Sequence, residues 1–259
     1  MSVPGILNAR AAAKKFTFRT VPPAPELAPL VAHYWLVSWD LRGQEPYEQQ
    51  VLPYPSVNMT FKPGRCRIAG VPRGRFCEVL DGAGRVFGVR FQPAGFRPLL
   101  GSPVSSITGR FIPVDEVFGR TGRDLAEAIL AADDATAVSV MNEFLRSRLA
   151  GPDPAAELVA DVAERAATDA SVVRVEQLAA AFDVGVRRLQ RLFAEYVGVG
   201  PKWVIRRYRL HEAAGRAAAG RPLDLARLAA DLGYSDQAHF TRDFTAIVGT
   251  SPARYAKAQ

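Results

Sequence analysis

The sequence predicts an α+β chain in three parts: a β-rich domain over residues 1–118, a helical linker over 119–169 and an all-α domain over 170–259. Three observations predict it. Short β-branched and aromatic runs alternate with Gly and Pro up to about Val117; Ala, Leu, Val, Glu and Arg at helical spacing take over from Asp124; and the C-terminal part contains an internal duplication. A length of 259 residues suits two domains, and 48% hydrophobic with 23% charged residues supplies the apolar surface for two cores.

In the first part, HYWLVSWDL, SVNMTF, CRIAGV and RVFGVRFQP read as strands, because turn residues punctuate them. DLAEAIL, AVSVMNEFLRSRL and AAELVADVAERA read as two or three helices, with GPDP at 151–154 as the break. No run of 18 apolar residues exists, which argues against a membrane span, and the N-terminus lacks the apolar stretch of a secretory signal. The expected compartment is the cytoplasm, where Cys66 and Cys77 stay reduced thiols.

Charge is unevenly placed. Residues 171–259 hold 14 Lys and Arg against 8 Asp and Glu, which is +6 of the chain's +7, and 12 of the 14 cations are Arg. The guanidinium fork pairs bidentately with phosphates and guanine edges, so double-stranded DNA is the favoured partner over a merely solvated basic surface.

The duplication is the most specific feature. LAAAFDVGVRRLQRLFAEYVGVGPKW from Leu178 and LAADLGYSDQAHFTRDFTAIVGTSPARY from Leu228 share an aromatic (Phe193, Phe244), a Gly five residues on (Gly198, Gly249) and a Pro three beyond that (Pro201, Pro252). Each copy has the logic of a helix-turn-helix. First helices are expected near 175–182 and 224–232, and second helices near 186–197 and 236–248. Gly233 suits a left-handed cap and Ser235 an N-cap; in the first copy Asp183 must take the left-handed position and Gly185 is the poorer cap. Leu189, Leu192, Phe193 and Tyr196 face inward in one copy, and Phe240, Phe244 and Ile247 or Val248 in the other. The opposite faces offer Arg187, Arg188, Gln190 and Arg191, and Gln237, Ala238, His239, Thr241 and Arg242, the residue types that read bases from the major groove. Between the copies, Pro201 to Ala219 reads as one helix of roughly 28 Å, ended by Gly220, Arg221 and Pro222. That is close to the ~34 Å repeat of DNA. Its cations Lys202, Arg206, Arg207, Arg209 and Arg216 include candidates for phosphates, while Trp203 and Tyr208 are expected in the core.

The two repeats together resemble the DNA-binding domain of the AraC/XylS family of bacterial transcriptional regulators over about residues 171–259. The resemblance implies base contacts by Arg187, Gln190 and Arg191 in the first unit and Gln237, Ala238, Thr241 and Arg242 in the second. Arg188, Lys202, Arg206 and His239 are assigned to the phosphate backbone. Asp183 and Gly185 depart from the Gly and Ser usual in the family. The N-terminal part, with YWLVSWDL and GVRFQPAGFRPLLG, is similar to a cupin-like β barrel or sandwich found fused to such domains, which implies a sensor or dimerisation role. Implied partners are DNA, a small-molecule effector, RNA polymerase if the protein is an activator, and a second copy in a homodimer. The rival reading is a small-molecule-binding protein or enzyme whose helical domain recognises a partner.

No catalytic, metal or cofactor site is expected. Only His33 precedes residue 200 among the histidines, and Cys66 and Cys77 have no His nearby in sequence. If the β domain has a cavity, Trp35, Trp39, Tyr54, Phe61, Arg90 and Phe91 are candidate lining residues, with Asn58 as polar anchor. Arg90, set between Val89 and Phe91, must face solvent or pair with something anionic, and if buried it suggests an acidic ligand.

Overall fold

The structure is a computed structural model and describes residues 5–218 and 224–257. Helix α1 (Ala9–Ala12) leads into β1 (Thr17–Val21), β2 (Val31–Asp40), β3 (Tyr47–Val51), β4 (Asn58–Lys62), β5 (Arg65–Ala69), β6 (Phe76–Leu80) and β7 (Ala83–Phe91). After α2 (Arg97–Leu100) and β8 (Phe111–Pro113) the chain is helical: α3 (Val114–Ala131, bent at Gly119), α4 (Asp134–Arg146) and α5 (Pro154–Thr168). Then come α6 (Val175–Ala181), α7 (Val186–Tyr196), α8 (Pro201–Ala218), α9 (Leu225–Asp231), α10 (Gln237–Val248) and α11 (Pro252–Lys257). The class is α+β, an antiparallel β domain followed by a helical region.

The strands form a six-stranded antiparallel sheet, ordered β1-β2-β7-β4-β5-β8, and a separate β3-β6 pair. Alternation along each strand divides the large sheet into two faces. Tyr34 and Leu36 of β2, Met59 and Phe61 of β4, and Phe87 and Val89 of β7 point to one face. There they pack with Leu125 and Ile129 of α3 and Met141 and Leu145 of α4. Each such fully buried side chain contributes about 1.5–3 kcal/mol. The other face turns toward β3 and β6.

The helical stretch 119–169 is shared between two cores. α3 and α4 cover the sheet, whereas Val159, Val162, Ala163 and Ala166 of α5 pack with Leu178 and Phe193 further along. The GPDP break sits between them, with Pro154 at the first helical position and Asp153 capping α5 by accepting from the Ala155 and Ala156 amides. Helix α8 serves both C-terminal cores: Val204 and Ile205 belong to the first, and Leu210, Ala213 and Ala217 to the second. Its expected stop at Gly220, Arg221 and Pro222 lies outside the described residues. No described helix is long and apolar enough to cross a membrane.

Candidate nucleic-acid interface and effector cavity

Each repeat builds a short helix, a turn and a second helix. Unit one is α6 and α7, unit two α9 and α10. The turn of unit one uses Asp183 at φ 48°, that of unit two Gly233 at φ 75°. A Cβ on Gly233 would collide with Val173, so that glycine is required by space as well as by φ. One expectation needs correcting: the N-cap of α10 is Asp236 and not Ser235. The Asp236 carboxylate accepts from the His239 amide at 2.7 Å, while the Ser235 hydroxyl donates to Asp236 and lies 3.2 Å from His239 Nδ1. α7 begins at Gly185 with no side-chain cap.

Apolar residues fix the helix faces. Leu189 and Phe193 are buried in unit one and Phe240, Phe244 and Val248 in unit two, with Leu192, Tyr196 and Ile247 partly buried beside them. The reverse faces are therefore left to solvent. Arg187, Arg188, Gln190 and Arg191 of α7 are exposed, as are Gln237, Ala238 and Arg242 of α10; Thr241 is half-buried. Among the described residues no ion pair engages Arg187, Arg188, Arg191 or Arg242. His239 is half-buried, its ring edge-on to Tyr234 with centroids 5.2 Å apart.

The cations of α8 are mostly committed within the chain. Lys202 is exposed, but Arg206 grips Asp243 of α10, with its Nε donating at 3.0 Å, so the guanidinium assigned to phosphate is already paired. Arg207, 3% exposed, donates to the Pro53 and Arg73 carbonyls, and Arg209, 2% exposed, donates to the Ala166 carbonyl and Glu212. Arg216 pairs with Glu212 and Asp231. Trp203 and Tyr208 pack at the first helical core, and Arg207 lies over the Trp203 ring at 4.4 Å. Long-range partners of this kind leave no trace in local sequence.

The β domain encloses a cavity of about 220 Å³ between the large sheet and the β3-β6 pair. Of the seven side chains expected to line it, Trp35, Tyr54, Asn58 and Arg90 do. Trp39, Phe61 and Phe91 do not. Phe61 and Phe91 lie one residue out of phase with Thr60 and Arg90 and so face the helices, and Trp39 is buried with Phe16 and Leu80 while its indole donates to the Asp81 carbonyl. Sequence reasoning missed His33, Lys62, Arg65, Arg67 and Glu78, all on the cavity wall. Two-residue periodicity from Arg90 and Asn58 could have found Lys62, had the strand register been known. Burial, reinforced by the nearby Arg90, pushes the His33 imidazole down to about 4, so it is neutral near pH 7. Burial also raises the Cys66 thiol, and both Cys66 and Cys77 are unpaired.

The β domain also meets α8 and the ends of α7 and α10. The Tyr54 ring stacks on His211 of α8 with centroids 3.8 Å apart, and His211 Nε2 lies 3.2 Å from the Pro53 carbonyl. Burial holds His211 at about 3, neutral and able to stack. The end of α7 is held by Arg97 to Glu195 at 2.6 Å and by the Thr108 hydroxyl donating to the Gly198 carbonyl at 2.7 Å. At the end of α10, the Gln50 amide donates to the Ile247 carbonyl at 3.0 Å, and Gly249 faces Arg75 and Gln50.

Two regions match known families. Residues 178–258 match a family described as a helix-turn-helix domain, and residues 19–113 match one described as a domain of unknown function (DUF6597). Among solved structures, ToxT from Vibrio cholerae O395 is 12% identical, covers 95% of this chain and 98% of its own, and has a TM-score of 0.41. The same protein bound to (E)-4-(8-methylnaphthalen-1-yl)but-3-enoic acid is 10% identical over 94% of this chain and 99% of that one, with a TM-score of 0.42. A xylose-binding transcription activator, xylR, is 17% identical over 48% of this chain and 37% of its own, with a TM-score of 0.34. No curated protein matches the chain.

Proposed function

We propose that the chain, whose residues 178–258 match a helix-turn-helix family, is a DNA-binding transcription regulator of the AraC type that reads its operator with two helices and is controlled by a small molecule held in the β domain. α7 and α10 lie in successive major grooves. Arg187, Gln190 and Arg191 reach bases from the first, and Gln237, Ala238, Thr241 and Arg242 from the second. Arg188, Lys202 and His239 fix the register on phosphates.

One observation carries this reading. In both units the apolar side of the second helix is buried and its cationic, amide and hydroxyl side is left largely open, while the one helix α8 packs into the cores of both units. At 18 residues α8 is roughly 27 Å long, near the pitch of the duplex. Support for control comes from the cavity and from Tyr54, which lines it and stacks on that same helix through His211. A ligand that shifts Tyr54 would shift the support of α8 and so change the relation between the reading helices.

Selection of fragmented genomic DNA by the purified full chain tests the reading. The expected product is one enriched motif with two conserved blocks about 10 base pairs apart. Recovery of random fragments, or of a motif with a single block, would overturn it.

A further inference from the structure

The strand register sets three polar side chains in a row across one end of the cavity. His33 of β2 and Asn58 of β4 are both direct cross-strand partners of Arg90 on β7, and all three line the cavity. In the next row Trp35 is opposite Gly88 and Gly88 opposite Thr60. A Cβ at Gly88 would fall inside the Trp35 indole, so the absent side chain lets that ring lie flat along the wall. The indole Nε1 donates to Asn58 Oδ1 at 3.3 Å, and the Asn58 amide group, on the residue paired with Arg90, donates one hydrogen to the Ser56 carbonyl at 3.5 Å.

Arg90 is a cation without a counter-ion. Among the described residues no carboxylate lies within ion-pairing distance of it, its Nε is buried without a hydrogen-bond partner, and its guanidinium sits 4.1 Å over the Tyr54 ring. His33 is neutral and contributes no negative charge. A partly desolvated cation left unpaired in this way is costly and is stabilised by an anion in its plane. The opposite end of the cavity differs: Lys62, Arg65 and Arg67 all pair with Glu78, so that end keeps a positive excess but each of its cations already has a carboxylate partner, as Arg90 does not. Between the ends the wall is mainly apolar, with Phe18, Val37, Val51, Phe76 and Val86 around Trp35.

We propose that the cavity binds a small apolar carboxylic acid, its carboxylate paired with Arg90 beside Asn58 and its apolar body over Trp35. At the Arg90 end a single cation stands without a carboxylate partner, which suits a monoanion, and the apolar wall beside it disfavours the heavily hydrated dianion of a phosphate ester. The proposal rests on the effector reading above and gives that effector its chemical class.

Titration of the full chain, without DNA, by matched pairs tests it: benzoate and benzamide, cinnamate and cinnamamide, hexanoate and hexanamide, followed by calorimetry and by quenching of tryptophan emission. At least one acid should bind tenfold or more tighter than its amide. R90Q should abolish that preference, and R90K, which keeps charge but loses the planar fork, should retain only part of it. Phenyl phosphate should bind more weakly than benzoate. The proposal is overturned if acid and amide are indistinguishable in all three pairs, if phenyl phosphate outcompetes benzoate, or if R90Q keeps the preference while R65Q loses it. Because no DNA is present, failure to select an operator would leave these titrations unaffected, and an acid preference without operator selection would remove only the regulator reading.

Discussion

The two helix-turn-helix units solve the same folding problem with unequal means. Unit two turns on Gly233, which takes a positive φ at no steric cost, and opens α10 with the Asp236 carboxylate on the His239 amide. Unit one turns on Asp183, an L-residue in the left-handed region, and opens α7 at Gly185 without a side-chain cap. Compensation comes from neighbours. α5 contributes four buried residues to the core of unit one, and the β domain holds the end of α7 by a charged pair and a hydroxyl-carbonyl bond; α10 receives a single amide bond at the equivalent place. Local sequence carries more of unit two, and tertiary contacts carry more of unit one.

The comparison can be broken most forcefully in the cores. Phe193→Ala and Phe244→Ala each remove a fully buried ring and should cost about 3–5 kcal/mol by urea unfolding. Because α8 belongs to both cores, either variant should lower the unfolding midpoint of both units, and melting of one unit alone would show them to be independent. On DNA, Arg187→Ala and Arg242→Ala should each cost about 1–3 kcal/mol at the cognate site and relax base preference there. An equal loss on random DNA would make them phosphate contacts. Lys202→Ala should weaken all sequences alike and flatten the salt slope.

Capping sharpens the contrast at smaller scale. Asp236→Ala should cost about 1 kcal/mol. The His239 amide, donating to Asp236, holds its carboxyl below the usual carboxylate range. Its contribution is therefore complete above about pH 4 and fades as pH falls through the lowered folded value. α7 has no carboxylate cap to lose, so amide exchange measured from pH 7 to pH 3 should show α10 loosening relative to α7, and Asp236→Ala should remove that difference. Gly185→Ser should stabilise α7 by only a few tenths of a kcal/mol. A gain as large as the Asp236 loss would mean that the missing cap, and not the positive φ at Asp183, is the main weakness of unit one.

How much of this was legible in sequence follows the range of the interactions. Fixed offsets between Phe193, Gly198 and Pro201, repeated at Phe244, Gly249 and Pro252, specify local helix and turn chemistry, and the helices form where those offsets put them. The second role of Gly198 and Gly249 was hidden. Both turns lie against the β domain, where a Cβ would press on Thr108 in one case and Arg75 in the other, and neither neighbour is close in sequence. Arg206 and Arg207 look alike on a helical wheel, yet one meets Asp243 and the other the Pro53 carbonyl, 37 and 154 residues away. In the β domain, aromatic content alone could not separate Trp35 from Phe61 or Phe91. Which side of the sheet each faces depends on register, and a shift of one residue reverses it.

Gly88 has an outcome that reaches beyond packing. The width of the chamber beside Arg90 is governed at a position with no side chain, since even a methyl group there would displace the Trp35 indole. Such a change alters neither the guanidinium nor any residue of α7 or α10. Under the control proposed above, variation at this single codon would change which ligand the cavity takes while leaving the DNA contacts proposed for α7 and α10 as they are.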